Sequence, residues 1–201
     1  MRQLLLYCRA GFEKECAAEI QHKAGLHNVF GYCKLSSNSA YVIFEAYDAD
    51  SLAAFYRDYP FEQFIFIRQW SLLLAELLEL PPADRIAPVT EAVLGAELSG
   101  CGELRVESPE TNDGKTLSTL ARKLTVPLRQ ALRQAGVLTL KEQKRAPVLH
   151  LFMLSGQQGY VGLSYPENNS PLENGIMRLK FPNEAPSRST LKLEEAFIQF
   201  I

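Results

Sequence analysis

Between residues 115 and 147 the chain carries eight cations, Lys115, Arg122, Lys123, Arg129, Arg133, Lys141, Lys144 and Arg145, against a single acid, Glu142. At about 100° per residue of an α-helix, Lys115, Arg122, Arg129 and Arg133 fall within about 40° of one another. Lys123 stands to one side of that line, and Lys141, Lys144 and Arg145 follow in a loop. A row of guanidinium and ammonium groups can follow a polyanionic backbone, since each one near a phosphate releases condensed counterions. The other use of such charges is to solvate the outer face of a helix. A solvated face, however, normally mixes signs to gain i,i+4 pairs, and acids are missing here. Polyanion binding, if the chain has it, therefore belongs to its second half.

Other chemistry is thinly represented. Cys8, Cys16, Cys33 and Cys101 show no CxxC pairing, and His22, His27 and His150 have no ligand spacing with each other or with a cysteine. Free, buried thiols and no metal site are expected. No GxGxxG loop follows a predicted strand, and Gly95, Gly100 and Gly102 precede one instead, so no cofactor-binding loop is expected in these residues. Lys192 with Glu195 at i+3 reads, on residue type alone, as an exposed helical ion pair. Arg178, Lys180 and Arg188 flank a proline-rich stretch, where they either guide a polyanion or dock that stretch onto its neighbours.

The net charge of −2 hides an asymmetry that supports this placement. Residues 1–100 hold 8 Lys and Arg against 13 Asp and Glu, whereas residues 101–201 hold 13 against 10. The longest apolar region, 64–80, is interrupted by Arg68, Gln69, Glu76 and Glu79, short of the roughly 20 apolar residues a membrane helix needs. The apolar run at residues 4–7 is too short for a signal-peptide core. A cytoplasmic protein without membrane contact is expected, most simply as a monomer.

The elements that must position these residues are legible in outline. Residues 3–8 read as a strand ended by Gly11, and Phe12, Cys16, Ile20 and Ala24 keep helical spacing up to Gly25. Strands over 29–35 and 40–46 flank the polar loop Ser36-Ser37-Asn38-Ser39. A short helix capped by Asp48 or Asp50 runs through Tyr56, and 64–74 returns as a strand. This βαββαβ order is the ferredoxin-like pattern. The aromatic residues Tyr41, Phe44, Phe55, Tyr56, Phe61, Phe64, Phe66 and Trp70 mix strand and helix spacings, which favours core packing over a base-stacking surface. Pro81-Pro82 marks an internal boundary. Beyond it come a helix over 84–98, a strand over 103–107, and the best-patterned helix of the chain. That helix keeps one apolar phase (Leu117, Leu120, Ala121, Leu124, Leu128, Ala131, Leu132, Ala135) straight through Pro127, as a kinked helix or two abutting ones. Strands over 148–154 and 159–165 follow, and 166–186, rich in proline and asparagine, reads as a linker. Leu193, Ala196, Phe197, Phe200 and Ile201 then form a helical stripe that reaches the last residue without a cap. The expectation is that this helix begins a further, truncated domain that would cover its apolar face.

Four segments carry a resemblance. Ser187-Arg188-Ser189-Thr190-Leu191-Lys192-Leu193-Glu194-Glu195 resembles the Ser-Arg-x-x-x-Lys-Leu-x-Glu segment that opens the catalytic domain of RrmJ/FtsJ-type ribose 2′-O-methyltransferases. Residues 8–20 (CRAGFEKECAAEI), 124–129 (LTVPLR) and 178–186 (RLKFPNEAP) add to it. Together, and in order along the whole chain, they resemble the bacterial large-subunit (23S) rRNA cytidine 2′-O-methyltransferases that carry a THUMP domain. The resemblance implies an α+β chain of four parts. These are a ferredoxin-like domain (1–80), a THUMP RNA-binding domain (83–165), a linker (166–186), and the start of a methyltransferase domain (187–201). It further implies S-adenosylmethionine as cofactor, bound by the part of the family that follows these residues, and large-subunit rRNA as partner before the subunit is fully assembled. By the same resemblance Lys192 is the first member of a Lys-Asp-Lys-Glu catalytic set, inactive without the other three. The RNA-contacting candidates are Lys115, Arg122, Lys123, Arg129, Arg133, Lys141, Lys144, Arg145 and Arg188. Two other readings stay open at this point: a THUMP-containing tRNA-modifying protein, and a ferredoxin-like module that binds a small molecule or a protein.

Overall fold

The computed structural model describes residues 1–112, 114–179, 187 and 189–200, with only the backbone for Lys115, Gln199 and Phe200. Chain order is β1 (Gln3–Tyr7), α1 (Glu13–Leu26), β2 (Gly31–Leu35), β3 (Tyr41–Ala46), α2 (Ala49–Asp58), β4 (Gln69–Leu77), α3 (Ile86–Leu94), β5 (Glu103–Glu107), α4 (Gly114–Gln134), β6 (Val148–Met153), β7 (Gly159–Ser164) and α5 (Ser189–Phe200). The strands make one mixed sheet, ordered β2-β3-β1-β4-β7-β6-β5. Its first four strands are antiparallel throughout, in the ferredoxin-like order. β7 extends that sheet antiparallel to β4, and β5 and β6 form a parallel pair at the far edge, joined by α4.

Alternation along each strand decides which face is covered. Leu72 sits opposite both Leu4 on β1 and Leu163 on β7, so these three side chains share a face. Leu4 and Leu72 belong to the core under α1 and α2 with Trp70, Ile20 and Phe55, and Leu163 belongs to the core under α3 and α4 with Leu128, Leu132 and Leu149. α1, α2, α3 and α4 therefore lie on one side of a continuous sheet. The other side carries Leu5, Tyr7, Ile43, Leu73, Phe152 and Tyr160 as a third buried cluster. Four strand steps separate β1 from β5, about 19 Å at about 4.8 Å per step in a flat sheet. Yet Tyr7 Oη donates to Glu107 Oε2 at 3.0 Å, and Tyr7 stacks on Phe152 with ring centroids 4.3 Å apart. The sheet must curl around this cluster to bring Tyr7 and Glu107 together.

Local details follow from individual polar groups. Asp48 caps α2, accepting from Ser51 N at 2.7 Å. Glu13, 3% exposed, opens α1 and accepts from the backbone N–H groups of Gly11 (3.1 Å), Asn38 (3.2 Å) and Ala40 (2.9 Å), fastening the helix to the β2–β3 loop. The strand expected over 64–74 begins only at Gln69 and runs on to Leu77. The reason is Glu19, whose carboxylate accepts the N–H groups of Ile65 (2.7 Å), Phe66 (2.8 Å) and Ile67 (3.3 Å), tying that stretch to α1 rather than to a neighbouring strand. The aromatic residues pack as expected. Phe44, Phe55, Tyr56 and Trp70 are buried, with Phe61, Phe64 and Phe66 against them.

The expected linker behaves differently in its described part. Residues 166–176 form a strap laid on the fold. The Asn168 side chain accepts from Phe61 N (2.7 Å) and donates to the carbonyls of Tyr56 (2.8 Å) and Tyr59 (2.9 Å), while its own carbonyl accepts from Trp70 Nε1 (2.6 Å). Gln69 and Arg105 both donate to the Ser170 carbonyl, and Asn174 N donates to Glu107 Oε1 at 2.7 Å. Asparagine, read as a loop former, here saturates backbone groups that no strand reaches. Residues 180–186 and Arg188 lie outside the described residues.

Candidate nucleic-acid interface

α4 forms because Ala121, Leu124, Leu128 and Leu132 bury one face against the sheet and α3. It is a single helix through Pro127. The absent proline N–H leaves one carbonyl a turn earlier unanswered within the helix, and Thr125 adds a side-chain bond of its own to Ala121 O at 2.9 Å. The helix ends in a Schellman-type turn. Gly136 takes φ 76°, which costs glycine nothing, and Val137 N reaches back to Leu132 O at 3.0 Å. The following loop is pinned to the start of β5. Thr139 N donates to Cys101 O (2.9 Å), and Gln143 N donates to Gly102 O (3.2 Å). A Cβ on Gly102 would stand 2.2 Å from Gln143 O, so this close approach requires glycine.

These contacts bring the two groups of cations together. Arg133 Nε donates to Thr139 O at 3.1 Å, and Arg129 pairs with Glu142 at 3.6 Å, so the loop lies along the last turns of α4. Lys141, Lys144 and Arg145 are all exposed on that loop. Arg122 and Lys123 are exposed further up α4. Arg122 turns back only weakly, to Ser118 O at 3.4 Å and Thr119 Oγ1 at 3.5 Å. From Arg122 to Arg133 the strip spans about 16 Å at about 1.5 Å per residue. Its members differ in freedom. Arg129 is engaged by the segment's one acid and Arg133 by a backbone carbonyl, whereas Arg122, Lys123, Lys141, Lys144 and Arg145 point to solvent. The Lys115 side chain lies outside the described residues. Lys192 is exposed on α5, remote in sequence from this strip, and among the described residues it forms no ion pair with Glu195. Arg178 pairs with Glu110 beside the start of α4.

Sequence reading missed a buried polar network on the sheet face opposite α4. His150, fully buried on β6, places Nδ1 3.2 Å from Glu107 Oε2 and Nε2 2.7 Å from Ser164 Oγ, which also accepts from Asn169 Nδ2 at 2.6 Å. Burial alone would raise the Glu107 carboxyl. The His150 contact, the Asn174 N–H and the Tyr7 hydroxyl outweigh it and hold the carboxyl below its ordinary range. Burial, then the Glu107 charge, push the Tyr7 phenol well above its usual value. A Ser–His–Glu arrangement could suggest a nucleophile. Here Ser164 and His150 have no exposed surface and both histidine nitrogens are occupied, so the network acts as internal bracing between β1, β5, β6, β7 and the strap. The only sequence signal was His150 inside an otherwise apolar strand.

A ferredoxin-like unit whose sheet continues through β7, β6 and β5 beneath α3 and α4, with a basic strip facing outward, defines a two-part α+β module. The model for the N-terminal region of ribosomal RNA large subunit methyltransferase M matches residues 84–165, and that for the RlmM ferredoxin-like domain matches residues 1–71. Two separate stretches of the chain thus match models of the ribosomal RNA large subunit methyltransferase M family. It is 51% identical to the protein of that name from Photorhabdus laumondii and 53% identical to the one from Klebsiella pneumoniae, in each case over 100% of this chain and 55% of the relative. It thus spans about half the length of the curated relatives it matches. Among solved structures, TrmN from Thermus thermophilus aligns with a TM-score of 0.51 at 18% identity, over 84% of this chain and 47% of that one, a likeness of fold.

Proposed function

We propose that this chain is the RNA-targeting N-terminal portion of an rRNA methyltransferase that transfers a methyl group from S-adenosylmethionine to a cytidine 2′-hydroxyl of large-subunit rRNA. In this reading residues 1–80 brace the THUMP unit at 83–165, which meets the RNA. The observation that carries the reading is the strip on α4 and the loop after it, where five exposed cations stand among a single acid. Such a surface binds phosphates without reading sequence, which suits a module that brings a catalytic domain to its substrate. S-adenosylmethionine belongs with the portion of the relatives that this chain does not span. Lys192 would serve there by orienting the ribose hydroxyl and stabilising developing alkoxide charge. The substrate would be cytoplasmic rRNA before the subunit closes over it, met by a single copy of the enzyme.

The test is salt-dependent binding to a large-subunit rRNA fragment by the wild type and by Arg122→Glu/Lys144→Glu, one change at each end of the strip. With about four phosphates neutralised, affinity falls about 100-fold between 50 and 200 mM salt, and the double variant flattens that slope. Salt-insensitive binding, or a slope the variant leaves untouched, would overturn the assignment of RNA contact to this surface.

A further inference from the structure

One cavity is not absorbed by this account. It measures about 420 Å³ and opens where β5 ends and α4 begins, a position that favours ligand sites in parallel αβ units. One wall is the loop from Ser108 to Thr111 and the first turns of α4. The other is the strap, through Glu173, Asn174 and Arg178. Arg122 belongs to both this wall and the basic strip, so RNA tracking the strip arrives at the cavity mouth.

The inner wall is rich in acceptors. Asn174 is 8% exposed, and its Oδ1 has no hydrogen-bond partner among the described residues. Its backbone is fixed at φ 52° by the bond from its N–H to Glu107, whereas its amide is held only by a 3.5 Å contact from Nδ2 to Glu110. Rotation about χ2, a broad torsion for an amide, turns the acceptor toward the cavity. Glu110 and Glu173 add carboxylates beside it, and Arg122 and Arg178 add cations, Arg178 through an ion pair with Glu110 that leaves part of both groups for a ligand. A ligand with N–H donors at its inner end and a phosphate at its outer end matches this arrangement. A free anion inside would meet the carboxylates.

We propose that this cavity receives the base of one unpaired nucleotide bearing an exocyclic amino group (cytosine, adenine or guanine), with its phosphate at Arg122 and Arg178. The proposal rests on the RNA reading and adds a base-selective pocket to a surface that otherwise contacts only phosphates. An amino group supplies the two donors that Asn174 Oδ1 and the Glu110 carboxylate accept. Uracil, the one common base without an amino group, would place a carbonyl oxygen against them.

The experiment measures fluorescence anisotropy of the 201-residue chain with labelled uridine octanucleotides whose central residue is cytidine, adenosine, guanosine or uridine. The amino-bearing octamers bind about tenfold more tightly than all-uridine. Asn174→Gly removes the amide while suiting the positive φ, and Ser118→Trp crowds the cavity mouth. Each brings the four octamers within about twofold of one another while the salt slope stays that of the wild type. Equal binding of all four by the wild type overturns the pocket, as does a preference that survives both variants when circular dichroism shows them folded. Salt-insensitive binding of both the octamers and the rRNA fragment overturns the RNA reading itself, a different outcome from lost selectivity on an intact slope.

Discussion

Replacing Asn168 with alanine tests whether the segment after β7 is part of the fold. The side chain makes three hydrogen bonds, at 2.7 Å from Phe61 N, 2.8 Å to Tyr56 O and 2.9 Å to Tyr59 O. At a net contribution of about 0.5–1.5 kcal/mol each, with the stranded partners only partly able to reach water, the loss comes to roughly 2–4 kcal/mol. For a chain of this size that lowers Tm by about 4–16 °C, at roughly 2–4 °C per kcal/mol. The assay is urea unfolding followed by the fluorescence of the sole tryptophan, Trp70, which is fully buried and whose Nε1 donates to the Asn168 carbonyl. Glu167→Ala, an exposed neighbour without these bonds, serves as control. The midpoint should fall in Asn168→Ala with m unchanged. A stability within about 0.5 kcal/mol of wild type, the range of ordinary surface substitutions, would refute the claim that the strap is docked.

Three further outcomes test other contacts of the fold. Burial alone would raise the Glu13 carboxyl, but its backbone hydrogen bonds, among them those from Ala40, Gly11 and Asn38, outweigh it and hold the carboxyl below its usual range. Its stabilisation is therefore complete above the unfolded value near pH ~4.3 and lost as pH falls through the folded value. The wild-type advantage over Glu13→Gln in urea midpoint should accordingly be full at pH 7 and shrink below about pH 4, and a gap independent of pH would contradict this. Tyr7→Phe removes a buried donor to Glu107 and should cost about 1–2 kcal/mol near neutrality. Because burial and then the Glu107 charge raise the Tyr7 phenol, only the unfolded wild type ionises there above about pH 10, so its advantage over Tyr7→Phe narrows in alkali, as paired denaturation curves would show. Gly102→Ala sets a Cβ against Gln143 O and displaces the loop bearing Lys141, Lys144 and Arg145. RNA affinity should drop several-fold with a salt slope reduced by about one per lost phosphate contact, while α4 stays helical by circular dichroism.

Residue pattern alone carried much of this protein. Period-two and period-3.6 apolar spacing located the βαββαβ order, the long helix through Pro127 and the strands after it, because burial of one face imposes those periods wherever the elements end up. The strip of cations was legible for the same reason: 100° per residue fixes which side chains share a helix face before any tertiary contact forms. What the sequence could not contain was the meeting of distant polar groups. Glu19 takes the N–H groups of 65–67 and so delays β4, Asn168 ties a supposed linker to Trp70 and Phe61, and Tyr7 reaches Glu107 across a curled sheet. Nor could it tell that Glu142 and Thr139 would engage Arg129 and Arg133 while Arg122, held only by long bonds to its own helix, stands exposed at the mouth of a cavity. Hydrophobic periodicity is a local property of the chain. The pairing of a carboxylate with a backbone N–H some 46 residues away depends on where packing puts both, and only the folded structure decides that.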